Sequence, residues 1–152
     1  MTARMKVYAY ITHGTKLLVF EERGFPEGGI QVPGGTPNIN EPPDAAAIRE
    51  SIEEASLQSL KLVRFLGEDI FDVSIYGINE VHRRLFYHLI YEGDPLRNWE
   101  NEERDPSART LQTPERIIFD FYWWDLKNGI PKLQLGFDAK LSALLGDLGL
   151  VR

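Results

Sequence analysis

The sequence predicts an α+β fold, a mixed β-sheet covered by helices, from three features of its 152 residues. Stretches rich in Val, Ile, Tyr and Phe, several of them alternating, lie at 5–12, 82–92 and 117–126, and alternation of that kind marks strands. Two segments instead carry apolar residues at helical spacing, Ala45, Ile48, Ile52 and Ala55 in the first third and Leu141, Leu144, Leu145 and Leu148 near the end. No internal repeat, linker or composition break interrupts the chain, so residues 1–152 are expected to form one domain, long enough to bury a core.

In chain order, Met5–Thr12 reads as a strand, His13-Gly14-Thr15 as a turn and Lys16–Glu22 as a second strand, together a hairpin. Arg23–Gly29 holds glycines and a proline and reads as a loop. Ile30-Gln31-Val32 is a short strand running into Pro33-Gly34-Gly35. A helix begins near Pro42 or Pro43, where proline suits a first turn and Asp44 suits the positive end of the dipole, and ends around Ser56. Lys61–Leu66 is a strand that continues through Phe71–Ile75 after a break at Gly67, and Asn79-Glu80 turns the chain. His82–Glu92 is a strand buried on much of both faces. Asp94–Pro114 is polar and reads as a long loop, of the length usually kept for function. Ile117–Leu126 is an aromatic strand ended by Asn128-Gly129, and Asp138 is placed to cap the last helix.

Composition narrows the function. A formal net charge of −6 disfavours a nucleic-acid polymer or an anionic membrane as partner. The absence of cysteine excludes disulfides, thiolate zinc sites and cysteine nucleophiles. No apolar run approaches the ~18 residues of a membrane span, and Lys6 lies inside any would-be leader segment. A cytoplasmic location is the expectation.

The chemistry concentrates between Gly34 and Leu57. On a helix, residues three and four apart are neighbours, so Glu50, Glu53 and Glu54 fall within about 100° of arc. Glutamates on a helix are more often a solvated face than a site. Here they follow a Gly-Gly turn and sit opposite an apolar stripe, and a hard divalent cation with oxygen ligands would relieve their repulsion. Arg49, one turn before Glu53, can hold its carboxylate by a charge-assisted hydrogen bond, and Glu41 can in turn hold Arg49.

Gly35, Glu41, Arg49, Glu50, Glu53, Glu54 and Leu57 stand at the spacing of the Nudix box, and the chain therefore resembles the Nudix hydrolase family. Ser51 replaces an aliphatic residue of that pattern and Ser56 replaces its second glycine. Neither removes a charged position. Ser51 can bond back to a carbonyl one turn earlier, and Ser56 must bear a left-handed exit costing ~1–2 kcal/mol or leave the helix differently.

The resemblance implies an α/β/α sandwich and a Mg2+-dependent hydrolase, with Mn2+ as a substitute, that cleaves the diphosphate linkage of a nucleoside diphosphate joined to another group. It implies that Glu53, Glu54 and Glu50 are ligands, helped by the Gly34 carbonyl, and that a metal-activated water attacks phosphorus. Glu50 or a later acid serves as base. Glu115 is preferred among the later acids, with Glu100, Glu102 and Glu103 as alternatives. Arg23, Gly35 and Tyr10 are candidate substrate contacts, and Phe25, Tyr8, Tyr122, Trp123 and Trp124 are candidate stacking surfaces.

No proline lies between Pro43 and Pro95, where the ADP-ribose type of the family carries one, and Tyr76 lies slightly beyond the tyrosine position of the dinucleoside polyphosphate type. A nucleoside triphosphate and a dinucleoside polyphosphate are accordingly the expected substrates. A second copy of the chain is a candidate partner. The rival expectation, drawn from the two serines, is a Nudix-fold module that binds a nucleotide without turnover.

Overall fold

The computed structural model describes residues 2–96, 98–103 and 116–150. Seven strands and two helices follow one another as β1 (Thr2–His13), β2 (Lys16–Glu22), β3 (Gly34–Gly35), α1 (Pro43–Ala55), β4 (Leu60–Asp72), β5 (Glu80–Tyr91), β6 (Asn98–Glu103), β7 (Ile117–Asp125) and α2 (Leu141–Asp147). One mixed sheet takes the order β4-β5-β1-β2-β7-β6, with β3 attached to β1. The β1–β5 pair is parallel and the other strand pairs are antiparallel.

β1 and β2 form the expected hairpin only beside its turn, where Thr12 faces Leu17 and His13 faces Lys16. Beyond that point they diverge, and the segment after the Gly-rich loop fills the opening. Gln31 bridges to Phe20 on one side, while Gly34 and Gly35 pair with Tyr8 and Val7 on the other. The strand expected over Ile30–Val32 is thus reduced to single bridges, and the paired residues are the two glycines. A side chain at Gly34 would collide with the Tyr8 ring and the Val7 carbonyl, at 2.2 and 2.4 Å. Only glycine lets the backbone come this close.

Successive strand residues point to opposite faces. One face carries Val7, Ala9, Ile11, Leu18, Phe20, Leu85, Leu89 and Phe121 and is covered by α1. The other carries Tyr10, Leu17, Val19 and Phe86 and is covered by Leu133, Phe137 and the α2 residues Leu141, Leu144 and Leu145. The layers are those of the expected α/β/α sandwich. A Thr12–His88–Asp147 hydrogen-bond chain, with Arg64 on Asp147, ties α2 to the sheet.

Several local expectations are corrected. α1 seats itself through Ala46, Ala47, Ser51 and Ala55, while Ala45 is exposed and Ile48 and Ile52 are only half-buried. The row 47–51–55 consists of small side chains at four-residue spacing, which lets the helix lie close on the sheet. Ser51 therefore lies on the buried stripe, not its flank. β4 runs unbroken past Gly67, absorbing it as an irregularity in its pairing with β5, and ends at Asp72, so Ser74–Tyr76 is a 3₁₀ turn. Part of the expected 94–114 loop is the edge strand β6, paired with β7 along its full length. α2 has Lys140 at its cap with no side-chain cap bond, and Asp138 contributes only its backbone carbonyl to the Leu141 N–H. Among the described residues no helix is long and apolar enough to cross a membrane.

Candidate active site

The opening between β1 and β2 places the Gly-Gly turn directly under α1. Glu54, in the last turn of the helix, accepts a hydrogen bond from the Gly34 backbone N–H. At Gly35 a Cβ would lie 2.3 Å from the Glu50 carboxyl carbon, so the second glycine leaves the room that this carboxylate fills. Two glycines and two glutamates, about twenty residues apart in sequence, thus make one surface.

Arg49 holds the carboxylates in order. Its Nε and Nη2 donate to the two oxygens of Glu41 at 2.8 and 2.9 Å, a bidentate pair. Its Nη1 donates to Glu50 at 3.0 Å and Glu53 at 3.1 Å, and Nη2 also reaches the Thr36 carbonyl at 3.2 Å. Glu41 accepts a further bond from the Asn38 N–H. The Arg49 guanidinium, with that N–H, holds the Glu41 carboxyl down to about 2. The Glu41–Arg49 contact expected from sequence is present, and Arg49 reaches Glu50 as well as Glu53.

Glu50 and Glu54 are shifted the other way. Burial pushes the Glu50 carboxyl above its ordinary value, although Arg49 pulls it down. Glu54 is pushed well above its ordinary value by burial, then by the neighbouring Glu103 and Glu50 charges. Glu103 arrives from β6 by strand alternation. Asn101 and Glu103 face α1, and the Asn101 side chain donates to the Glu53 and Glu54 carbonyls, as Trp99 Nε1 does to that of Ala55. Glu100 and Glu102 face the other way, on Arg23 and Arg116. The long-loop acids are thereby sorted: Glu103 lines the cleft and the other two do not.

Both serine departures are absorbed without moving an acid. Ser51, 0% exposed, donates to the Ala47 carbonyl at 2.7 Å. Ser56 adopts the left-handed conformation, φ 56° and ψ 34°, at the helix exit.

The cleft, of about 600 Å³, is lined by Gly34, Gly35, Arg49 and the four glutamates 50, 53, 54 and 103, together with Tyr8, Phe20, Gln31, Phe119 and Phe137. Among the described residues no three Asp, Glu or His side chains already converge on a metal-binding point. Arg49 spreads Glu41, Glu50 and Glu53 around itself, while Glu54 turns to the Gly34 amide. The donor set nonetheless suits a hard divalent cation. It is rich in carboxylate oxygen, and two of its members, Glu50 and Glu54, are held above their ordinary pKa by burial and by neighbouring glutamates.

Two of the three expected substrate contacts lie elsewhere, and of the candidate stacking surfaces only Tyr8 lines the cleft. Arg23 pairs with Asp120 and Glu100 at the edge of a separate groove formed by β2, β6 and β7. Tyr10 is 0% exposed in the core, where its hydroxyl donates to the Phe137 carbonyl. Glu115 lies outside the described residues. Sequence reasoning missed Lys6 and Thr36, which line the cleft and are bonded to each other at 2.7 Å. Lys6 had a signal: it alternates onto the β1 face that also carries Tyr8 and Tyr10.

A family model for the NUDIX domain matches residues 2–136. Among solved structures, a NUDIX-family hydrolase from Clostridium perfringens superposes with a TM-score of 0.60 at 19% identity, covering 99% of each chain. A UDP-X diphosphatase gives 0.57 at 17% identity, over 97% of this chain but only 61% of that one. An ADP-ribose pyrophosphatase from Streptococcus suis gives 0.54 at 20% identity, over 97% of this chain and 89% of that one. At these identities the likeness is one of fold. No curated protein matches the chain at a significant level.

Proposed function

This chain belongs to the Nudix family, and from that premise we propose that it hydrolyses the diphosphate linkage of a nucleoside diphosphate joined to another group, with Mg2+ as cofactor. The observation that carries the reading is the Arg49 hub, which aligns Glu50 and Glu53 beside Glu54 and Glu103 in one cleft that aromatic side chains also line. Glu53, Glu54 and the Gly34 carbonyl are the assigned holders of Mg2+. When bound, Mg2+ supplies an acidified water and offsets charge on the phosphates.

The protein's own groups do the rest. Arg49 fixes Glu50 and Glu53, and Glu41 fixes Arg49, so the carboxylates need little reordering when substrate arrives. Glu50 Oε2, which has no part in the bond to Arg49, is assigned as acceptor of the proton from the attacking water, because burial raises its basicity. Phe119 presents its ring, and Gln31 an amide, to the group joined to the diphosphate. Nucleoside triphosphates and dinucleoside polyphosphates are the proposed substrates.

The test is a panel of nucleoside triphosphates, nucleotide sugars, ADP-ribose and dinucleoside polyphosphates with Mg2+. Glu53→Gln and Glu54→Gln are each expected to lower kcat/KM about a thousandfold on the best substrate. Undiminished activity in both variants would sink the assignment. Tight nucleotide binding with no turnover, under Mg2+ or Mn2+, would instead favour the binding-module reading. The accommodation of Ser51 and Ser56 within α1 speaks for the enzyme.

A further inference from the structure

Lys6 is a cation that the Arg49 hub does not use. It projects from β1 into the cleft, half-buried, and its Nζ donates to the Thr36 hydroxyl at 2.7 Å. Among the described residues it forms no ion pair, whereas Arg49 is occupied by three carboxylates and a carbonyl. An ammonium has three donors, so two remain once Thr36 is bonded. Thr36 is itself anchored, since its carbonyl accepts from Arg49 Nη2. The ammonium is therefore aimed by a residue that the catalytic hub holds still.

A half-buried lysine loses hydration, and holding it there without a carboxylate partner is unfavourable unless a ligand completes the shell. The ligand must be anionic and rich in oxygen acceptors, and it must lie beside the acids that take Mg2+. Resting on the reading of this cleft as a diphosphate-cleaving site, we propose that Lys6 is a phosphate-binding and specificity-determining residue that grips a non-bridging oxygen of the substrate's phosphate chain. It contributes the charge that Arg49 cannot, and it favours substrates whose phosphate chain carries an extra charge.

The probe is inorganic pyrophosphate with Mg2+, measured by titration calorimetry on wild type, Lys6→Met, Lys6→Arg and Thr36→Val. Lys6→Met is expected to weaken binding about tenfold, the loss typical of one charge-assisted hydrogen bond. Lys6→Arg should retain binding within about threefold, because charge and donors persist. Thr36→Val should fall between, since the ammonium stays but is no longer aimed. If Lys6→Met does not fold, Lys6→Arg and Thr36→Val decide. On the best nucleotide of the panel, KM of Lys6→Met should rise about tenfold with kcat little changed.

Pyrophosphate binding equal in wild type and Lys6→Met, or absent from wild type, overturns the assignment. So does a fall in kcat alone, which would mean that Lys6 acts on Glu50. Unchanged binding in Lys6→Met beside normal wild-type turnover leaves the hydrolase reading standing. Lys6-dependent binding with no turnover of any nucleotide does the reverse.

Discussion

Two arginines use the same bonds to opposite ends. Arg84, in β5, makes a bidentate pair with Asp69 at 2.8 and 2.7 Å and donates to the Leu135 and Gly136 carbonyls. Arg49 makes a bidentate pair with Glu41 and donates to the Thr36 carbonyl. Arg84 is 2% exposed, its guanidinium 4.2 Å from the Phe71 ring centre, and it meets one carboxylate. Arg49 is 27% exposed and meets three, with Glu54 and Glu103 in the same cleft. A balanced, closed pair holds the 133–137 segment onto the sheet. An open cluster, three carboxylates sharing one guanidinium among the described residues, has something left to bind. The bond pattern is shared, so what distinguishes structure from chemistry here is charge balance and access.

Four measurements sharpen or break that contrast. Arg84→Met should lower stability by about 3 kcal/mol in urea unfolding, because it strands Asp69 and two carbonyls, while folded protein keeps its kcat. Arg49→Met should do the opposite, lowering kcat/KM some 10- to 100-fold with less than about 1 kcal/mol lost from stability. Equal stability losses in the two variants would erase the distinction.

The third measurement is the Mg2+ dependence of Tm at two pH values. Glu50 and Glu54 have folded-state pKa values above those of the unfolded chain. Folded protein without metal therefore holds protons that the unfolded chain has released, and stability falls as pH rises through the raised values. A cation displacing those protons gains with pH. Mg2+ should raise Tm by roughly 5 °C at pH 8 and by less at pH 5. A shift independent of pH would remove Glu54 from the ligand set and place the cation away from Glu50. The smallest effect belongs to Ser56→Gly, which should stabilise by about 1 kcal/mol by relieving the left-handed exit without altering activity. A destabilising result would mean that the Ser56 side chain holds the exit in a way its backbone angles do not reveal.

Much of this contrast could be read from the chain. The spacing of Arg49, Glu50, Glu53 and Glu54 on one helix is a local matter, because 3.6 residues per turn puts those side chains together wherever the helix lies. The start of α1 at Pro43 and its end before Ser56 followed from local backbone preferences too. The back-bond of Ser51 was foreseeable for the same reason, though its full burial was not. Arg23, Tyr10 and Asp138 went otherwise because each expectation needed to know what lay across the fold. Arg23 found Asp120 from β7, Tyr10 found Phe137, and Asp138 gave only its carbonyl.

The sequence alone determined the resemblance to the family, through fixed spacing along one stretch, and the mixed α+β content and the acidic helix with its arginine, through periodicity; the layered sandwich was what that resemblance implied. The tertiary structure decided which distant groups join them. It took the splaying of β1 from β2 to admit the two glycines, and the register of β6 on β7 to turn Glu103 inward and Glu100 outward. It took the placement of β1 beside Thr36 to bring Lys6 into the cleft. Strand pairing is settled by contacts remote in sequence, and a shift of one residue reverses which side chains face the site.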